Sequence, residues 1–223
     1  PNAQGEVRVV VNGKPVLAEK RVELDYGRSE TSDGTPRVVR YDHLVIALGS
    51  KTNFYQIPGL EEHAFQLKEL EDSERIRAHT ERMLAIAASE SSLPKRKELL
   101  RIVIGGGGLT GVELATEIAQ RFDALCEEFH IDPAEPEVVL LEASNRILPS
   151  LDGRQVSRSI EAMQAMGIQI LTNTRVMGME EQDGRLLVLR APGEPLATRT
   201  MIWTGGIRIS DLIRESVDGS TGE

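Results

Sequence analysis

Gly106, Gly108 and Gly111 stand at the spacing G-x-G-x-x-G, between the apolar run Ile102-Val103-Ile104 and a helically periodic stretch from Val112 to Ala119. Three branched apolar residues in a row read as a buried strand, so the glycines fall where a strand ends and a helix begins. The chemistry open to that arrangement is the binding of a diphosphate. Gly106 permits the tight turn, Gly108 lets a pyrophosphate approach bare backbone, and Gly111 lets helix and strand pack closely. The pyrophosphate is placed over Gly106, Gly107 and Gly108. The N–H groups of Leu109 and Thr110 have no partner inside the helix and face the charge.

A carboxylate completes the pattern. Pro136 to Glu142 reads as a second buried strand ending in Glu142, where an acid can accept bonds from the hydroxyls of an adenosine ribose. The separation from Gly106 is 36 positions, against a usual ~20. A long helix, about 109–129, and the proline-marked connection His130 to Pro136 account for the excess. Glu142 would repel a 2′-phosphate, so NADH is expected over NADPH; Arg146, four positions on, is the one residue here that could partner such a phosphate. Glu113 is read as a first-turn acid, favourable beside the helix dipole.

Around these residues the chain reads as α/β. The 223 residues allow one large domain or two smaller ones. With four Phe, three Tyr and one Trp, the core must be largely aliphatic. A net charge of −9 argues against a nucleic-acid surface. Cys126 is the only cysteine, so no intrachain disulfide or C-x-x-C pair exists, and it reads as a buried, inert thiol. The four histidines have no partners at ligand spacing, and no metal site is expected. No run of eighteen apolar residues suggests a membrane span.

Short strands are expected at Val7–Val11, before the turn Asn12-Gly13, at Lys20–Leu24 and from Arg37, with an apolar strand closing on Gly49. A helix is expected over about 71–90 with Leu70, Ile76, Met83, Leu84 and Ala87 inward. Residues 91–98 read as a solvated connector. A further helix, capped by Asp152 or Ser150, should bury Val156, Ile160, Met163 and Met166 before Gly167 stops it. A hairpin follows around Asp183-Gly184, then a strand through Trp203, which reads as core, as do Met177 and Met179. Residues 36–50 and 186–206 echo each other, each running from a polar turn into a strand that closes on glycine. This points to two related dinucleotide modules, the first without its glycine loop.

The stretches Gly106-Gly107-Gly108-Leu109-Thr110-Gly111-Val112-Glu113, Leu140-Leu141-Glu142-Ala143 with Ile147-Leu148-Pro149, and Trp203-Thr204-Gly205-Gly206 resemble the flavoproteins with two dinucleotide-binding domains. The similarity is most specific to type II NADH dehydrogenases, single-chain NADH:quinone oxidoreductases. The resemblance covers nearly the whole chain. It implies a Rossmann-like NAD-binding domain inserted in an incomplete FAD-binding domain, each with a β-meander crossover. Residues 1–57 would be partial FAD domain, 58–205 the NAD(P)H-binding domain with its linkers, and 206–223 the start of the return. Gly49, in Ala47-Leu48-Gly49-Ser50, matches the family's Ala-Thr-Gly stretch with leucine for threonine.

The cofactors implied are FAD and NAD, with NADH as donor and a quinone as acceptor. Glu113 would act at the nicotinamide carboxamide or its charge relay, and Glu142 and Ala143 would lie at the adenosine ribose. Thr204, Gly205 and Gly206 would pass the nicotinamide ribose, with Arg208 near the cofactor or in a salt bridge. The FAD glycine loop is expected before Pro1, and the Gly-Asp motif and membrane-binding helices after Glu223. The piece by itself is therefore expected to be soluble and to bind NADH only, while the full-length protein would sit peripherally on the cytoplasmic side of the membrane. A homodimer stays open. The competing accounts are another flavoprotein reductase of the superfamily (ferredoxin or rubredoxin reductase, NADH oxidase, sulfide:quinone oxidoreductase) and a catalytically silent nucleotide-binding module.

Overall fold

The computed structural model describes residues 21–24, 37–40 and 49–209. The expected strand at Val7–Val11 and the apolar strand leading to Gly49 lie outside them. The chain divides into two compact units, Thr52–Gly206 and the remainder, Pro1–Lys51 with Ile207–Glu223. In the latter, β1 (Arg21–Leu24) pairs antiparallel with β2 (Arg37–Arg40) in register Arg21 to Arg40. The strand β3 (Ser50–Thr52) pairs with β12 (Ile207–Ile209).

The larger unit is built on a five-stranded parallel sheet. Its strands are β4 (Phe65–Gln66), β5 (Arg101–Gly105), β6 (Glu137–Leu141), β7 (Gln169–Leu171) and β11 (Thr200–Trp203), in the order β4-β11-β5-β6-β7. After their first residues, Arg101, Glu137 and Thr200, the central strands β5, β6 and β11 carry no polar side chain, because both faces are covered. Alternate residues divide between two cores. Ile102, Ile104, Val138, Leu140 and Ile202 meet the helices α2 (Leu70–Ser89), α4 (Leu109–Phe129) and α5 (Gly153–Ala165). Val103, Val139, Leu141, Met201 and Trp203 join Val176, Met179 and Val188 of an antiparallel sheet on the opposite face. That sheet, β8 (Arg175–Gln182), β9 (Arg185–Ala191) and β10 (Leu196–Ala197), is the meander that returns the chain to β11.

Local chemistry explains the boundaries. Asp152 caps α5 by accepting from the N–H groups of Arg154 and Gln155 at 2.9 and 3.0 Å, and the Gln155 side chain answers with a bond to the Asp152 N–H. At α2 the buried Asp72 carboxylate accepts from the N–H groups of Lys68 and Glu69, both at 3.0 Å. Burial pushes the Asp72 carboxyl up, but those N–H groups, the Gln66 amide and the charge of Arg75 together bring it below the ordinary aspartate value. Its stabilising effect is thus present above the unfolded value and lost as pH falls through the depressed folded one. Asp72→Ala should cost about 1–2 kcal/mol in urea unfolding at neutral pH, with the difference from the parent protein vanishing on acidification.

Three expectations on packing are corrected. Leu70 is 71% exposed; it lies six residues before Ile76, about 120° round a helix of 3.6 residues per turn. Met166 follows the last residue of α5 as its C-cap and is exposed. Met177 is exposed because a bulge between Val176 and Gly178 leaves it as the extra residue of β8. The supposed connector at 91–98 is also largely helical: α3 (Leu93–Leu100) starts with proline in its first turn. Partners distant in sequence hold it. Arg96 makes a two-pronged pair with Glu135, and the buried Glu98 accepts from Arg185 Nε at 2.5 Å. The short α1 (Leu60–His63) and β4 were not foreseen either.

Candidate dinucleotide site

Trp203, Gly105 and Leu141 stand abreast as the last paired residues of β11, β5 and β6. From β5 the chain winds outward through α4, β6, α5 and β7, then crosses back to β11 on the other flank of β5. The strand order therefore reverses beside β5, and the carboxyl end of the sheet at such a point is where open α/β sheets hold ligands.

The glycines of the loop differ in their surroundings. Gly106 turns the chain at φ +113 and donates to the Leu141 carbonyl at 2.8 Å. A Cβ there would come within 2.7 Å of the Gly205 backbone. A Cβ on Gly111 would collide with the Gly106 carbonyl oxygen and reach Thr204 Oγ1 at 2.7 Å, so glycine is what allows α4 to start so close to the strand. Gly107 is boxed in by Ile147 and the Glu142 stem. Gly108 differs from all of these. Its backbone is extended and no atom lies within 4 Å of where its Cβ would project. No side chain caps α4 there, and its first intrahelical bond is Val112 N–H to the Gly108 carbonyl. An unscreened helix amino end beside open space suits a diphosphate.

Glu142 lies directly after β6, with one carboxylate oxygen accepting from Gly107 N–H at 2.7 Å. The other accepts from Ser144 N–H at 2.7 Å and from the Ser144 hydroxyl. Burial pushes this carboxyl up, but the bonds from Ser144 and Gly107 outweigh it and hold the group below the ordinary glutamate value. It is therefore an ionised acceptor at neutral pH. Arg146 is turned into its own loop and donates to the Leu151 carbonyl at 2.6 Å. Ala143 is exposed beside Glu142.

The third part is the turn after β11. Thr204 donates its N–H to the Gly105 carbonyl at 2.8 Å and its hydroxyl reaches the Gly105 and Gly106 carbonyls. Gly205 packs under the Trp203 ring, and a Cβ on Gly206 would meet the Tyr55 hydroxyl. These two glycines are thus required by aromatic neighbours of the protein itself. Trp203 is core, as expected, with its indole N–H on the Asn53 carbonyl at 2.7 Å. Tyr55 and Gln56, consecutive non-glycine residues at φ 51 and 56, escaped the sequence analysis, since neither type signals a left-handed backbone. Ser144 escaped it too.

Glu113 is exposed and is the fifth residue of α4, so it lies beyond the first turn, which contains no acid. Gly49 belongs to the other unit, at φ +67 directly before β3. Cys126 is fully buried, and burial, with Asp123, Glu135 and Asp132 nearby, pushes its thiol up, which suits an inert group.

A parallel sheet whose glycine turn, helix start and strand-end acid converge at a switch point defines a dinucleotide-binding α/β protein. The chain belongs to the pyridine nucleotide-disulphide oxidoreductase family, which it matches over residues 4–221. It is 30% identical over 205 residues to the type II NADH:quinone oxidoreductase of Staphylococcus epidermidis, covering 92% of this chain and 50% of that protein. With the enzyme of the same name from Staphylococcus aureus it shares 28% over 199 residues, 89% of this chain and 48% of that one. The chain thus spans about half the length of the curated relatives it matches. The structure of NDH2 from Plasmodium falciparum in complex with NADH shares the fold at a TM-score of 0.75 and 22% identity, covering 92% of this chain and 42% of that one. The water-forming NADH oxidase from Lactobacillus brevis bound to NADH does so at 0.58 and 19%, covering 82% and 35%.

Proposed function

We propose that this chain carries the NADH-binding domain, and part of the flavin-binding domain, of an FAD-dependent NADH dehydrogenase that delivers electrons to a quinone. The open face of Gly108 at the uncapped start of α4 carries this reading, because every neighbouring glycine is closed off by protein atoms. The names of the bacterial relatives support the class of donor and acceptor. The unit Thr52–Gly206 is the NADH-binding domain in this proposal, and the remaining residues belong to the flavin side. There Gly49 contributes backbone that a flavin can approach, with no atom within 4 Å of its Cβ position. The whole protein is proposed to work peripherally on the cytoplasmic side of the membrane. Among the described residues no helix is long and apolar enough to cross one.

When bound together, nicotinamide and flavin supply the hydride chemistry. The protein's part is to hold and orient. The amides of Gly108, Leu109 and Thr110 hold the diphosphate while that of Gly107 stays on Glu142, Glu142 beside Ala143 grips the adenosine ribose, and the turn Thr204-Gly205-Gly206 borders the nicotinamide half. Glu113, farther along α4, is proposed to meet the carboxamide. Glu142→Ala should weaken NADH binding by about 1–3 kcal/mol, as expected for a lost charged hydrogen-bond acceptor, measured by calorimetric titration. An unchanged dissociation constant would remove the ribose role. The reaction is tested by mixing flavin-loaded full-length protein anaerobically with NADH, then with NADPH in a separate run. Flavin bleaching by NADH in preference to NADPH, followed by reoxidation on adding quinone, is expected. Bleaching reversed by ferredoxin or oxygen but not by quinone would select another reductase of the family, and no bleaching at all would leave a nucleotide-binding module.

A further inference from the structure

The bonding around Glu142 raises a counting problem. An ionised carboxylate offers about four lone-pair positions. Gly107 N–H occupies one on the first oxygen, and Ser144 occupies both on the second, with its N–H and its hydroxyl. One position remains for a ribose that presents two neighbouring hydroxyls. The structure also shows the release. Ser144 Oγ lies 3.2 Å from the Arg146 carbonyl oxygen, a second acceptor for the same proton.

We infer that Ser144 is a positioning residue for Glu142. Its N–H and hydroxyl hold the carboxylate facing the glycine loop before nucleotide arrives, and the hydroxyl then turns to the Arg146 carbonyl, leaving one lone pair on each carboxylate oxygen for the ribose diol. The inference rests on the proposed ribose role of Glu142. The loop around it is tied down by backbone bonds. Asn173 N–H donates to the Ser144 carbonyl at 2.7 Å and Thr174 N–H to the Glu142 carbonyl at 2.8 Å. Arg146 is braced on the Leu148 and Leu151 carbonyls, which fixes its own carbonyl as the alternative acceptor.

Among the described residues no charged side chain bonds the carboxylate. The glycine loop 105–108 carries none, and Thr172, Asn173 and Thr174 of the β7–β8 turn are neutral. Arg146, the one charged residue between Glu142 and Asp152, is turned to carbonyls. Hydrogen bonds from Ser144 and Gly107 alone oppose the effect of burial on this group. Removing the hydroxyl should therefore move the carboxyl back toward the ordinary glutamate value.

The test is NADH binding to the full chain by calorimetric titration, from neutral pH into the acid range, for the parent, Ser144→Ala, Ser144→Thr and Glu142→Ala. Ser144→Ala should raise the dissociation constant about 3- to 10-fold, the cost of ordering one loosened side chain on binding, and shift the acid limb of binding to higher pH. Ser144→Thr, which keeps the hydroxyl, should restore both. If Ser144→Ala binds as the parent does, or more tightly, with an unmoved acid limb while Glu142→Ala is weakened, the positioning role is wrong and the ribose role stands. If Glu142→Ala binds like the parent, the ribose role fails and the positioning role with it.

Discussion

Gly108→Val should leave the fold standing and remove NADH binding. The substitution is sterically free in the protein alone, since its backbone is extended and nothing lies within 4 Å of the new Cβ. The helix loses at most about 1 kcal/mol from a poorer N-cap residue, so thermal unfolding should barely move. The branched side chain instead fills the space in front of the α4 amides. A diphosphate held outward by it loses the close approach that makes a helix start an anion site. We expect affinity to fall about 100-fold or more, equivalent to some 2.7 kcal/mol, when NADH fluorescence is titrated with the variant. A folded variant that binds NADH normally would reduce the loop to a turn.

Gly111→Ala should do the opposite, harming the fold first. Alanine is favoured over glycine in a helix by about 1 kcal/mol, and at an open position it would stabilise. Here its Cβ drives into the Gly106 carbonyl oxygen, a backbone atom, with Thr204 Oγ1 close behind. Neither can withdraw without parting α4 from the glycine loop, and overpacking of this kind costs about 3 kcal/mol or more. The clash outweighs the propensity. For a chain of this size the loss should lower the midpoint of thermal unfolding by roughly 6–12 °C. A variant as stable as the parent would contradict the packing of helix against strand.

These two outcomes separate what was legible in the chain from what was not. The turn at Gly106 and the close packing at Gly111 could be read because they follow from chain-local geometry, a strand, a turn and a helix in sequence. Glu142 could be read because a strand end is a sequence feature, and the resemblance resting on Gly-Leu-Thr-Gly-Val-Glu agrees with the family and relatives the chain matches. What escaped depends on partners far apart in sequence. The Tyr55 hydroxyl that makes Gly206 obligatory comes from 151 positions away, and α3 is held by Glu135 and Arg185, 39 and 87 positions from their partners. Residues 91–98 offer one aliphatic side chain, Leu93, among serines, a proline and the charges of Lys95 to Glu98, and such a composition reads as solvent-facing. Leu70 and Met177 failed for a different reason: hydrophobic type does not reveal a helix phase or a strand bulge.

The central claim is that bare backbone at the start of α4 receives the nucleotide. Amide hydrogen exchange, followed residue by residue by NMR with and without NADH, tests it most directly. The N–H groups of Gly108, Leu109 and Thr110 should exchange rapidly in the free protein and become protected when NADH is added. Protection confined to other segments, with these three amides unchanged at saturating NADH, would contradict it.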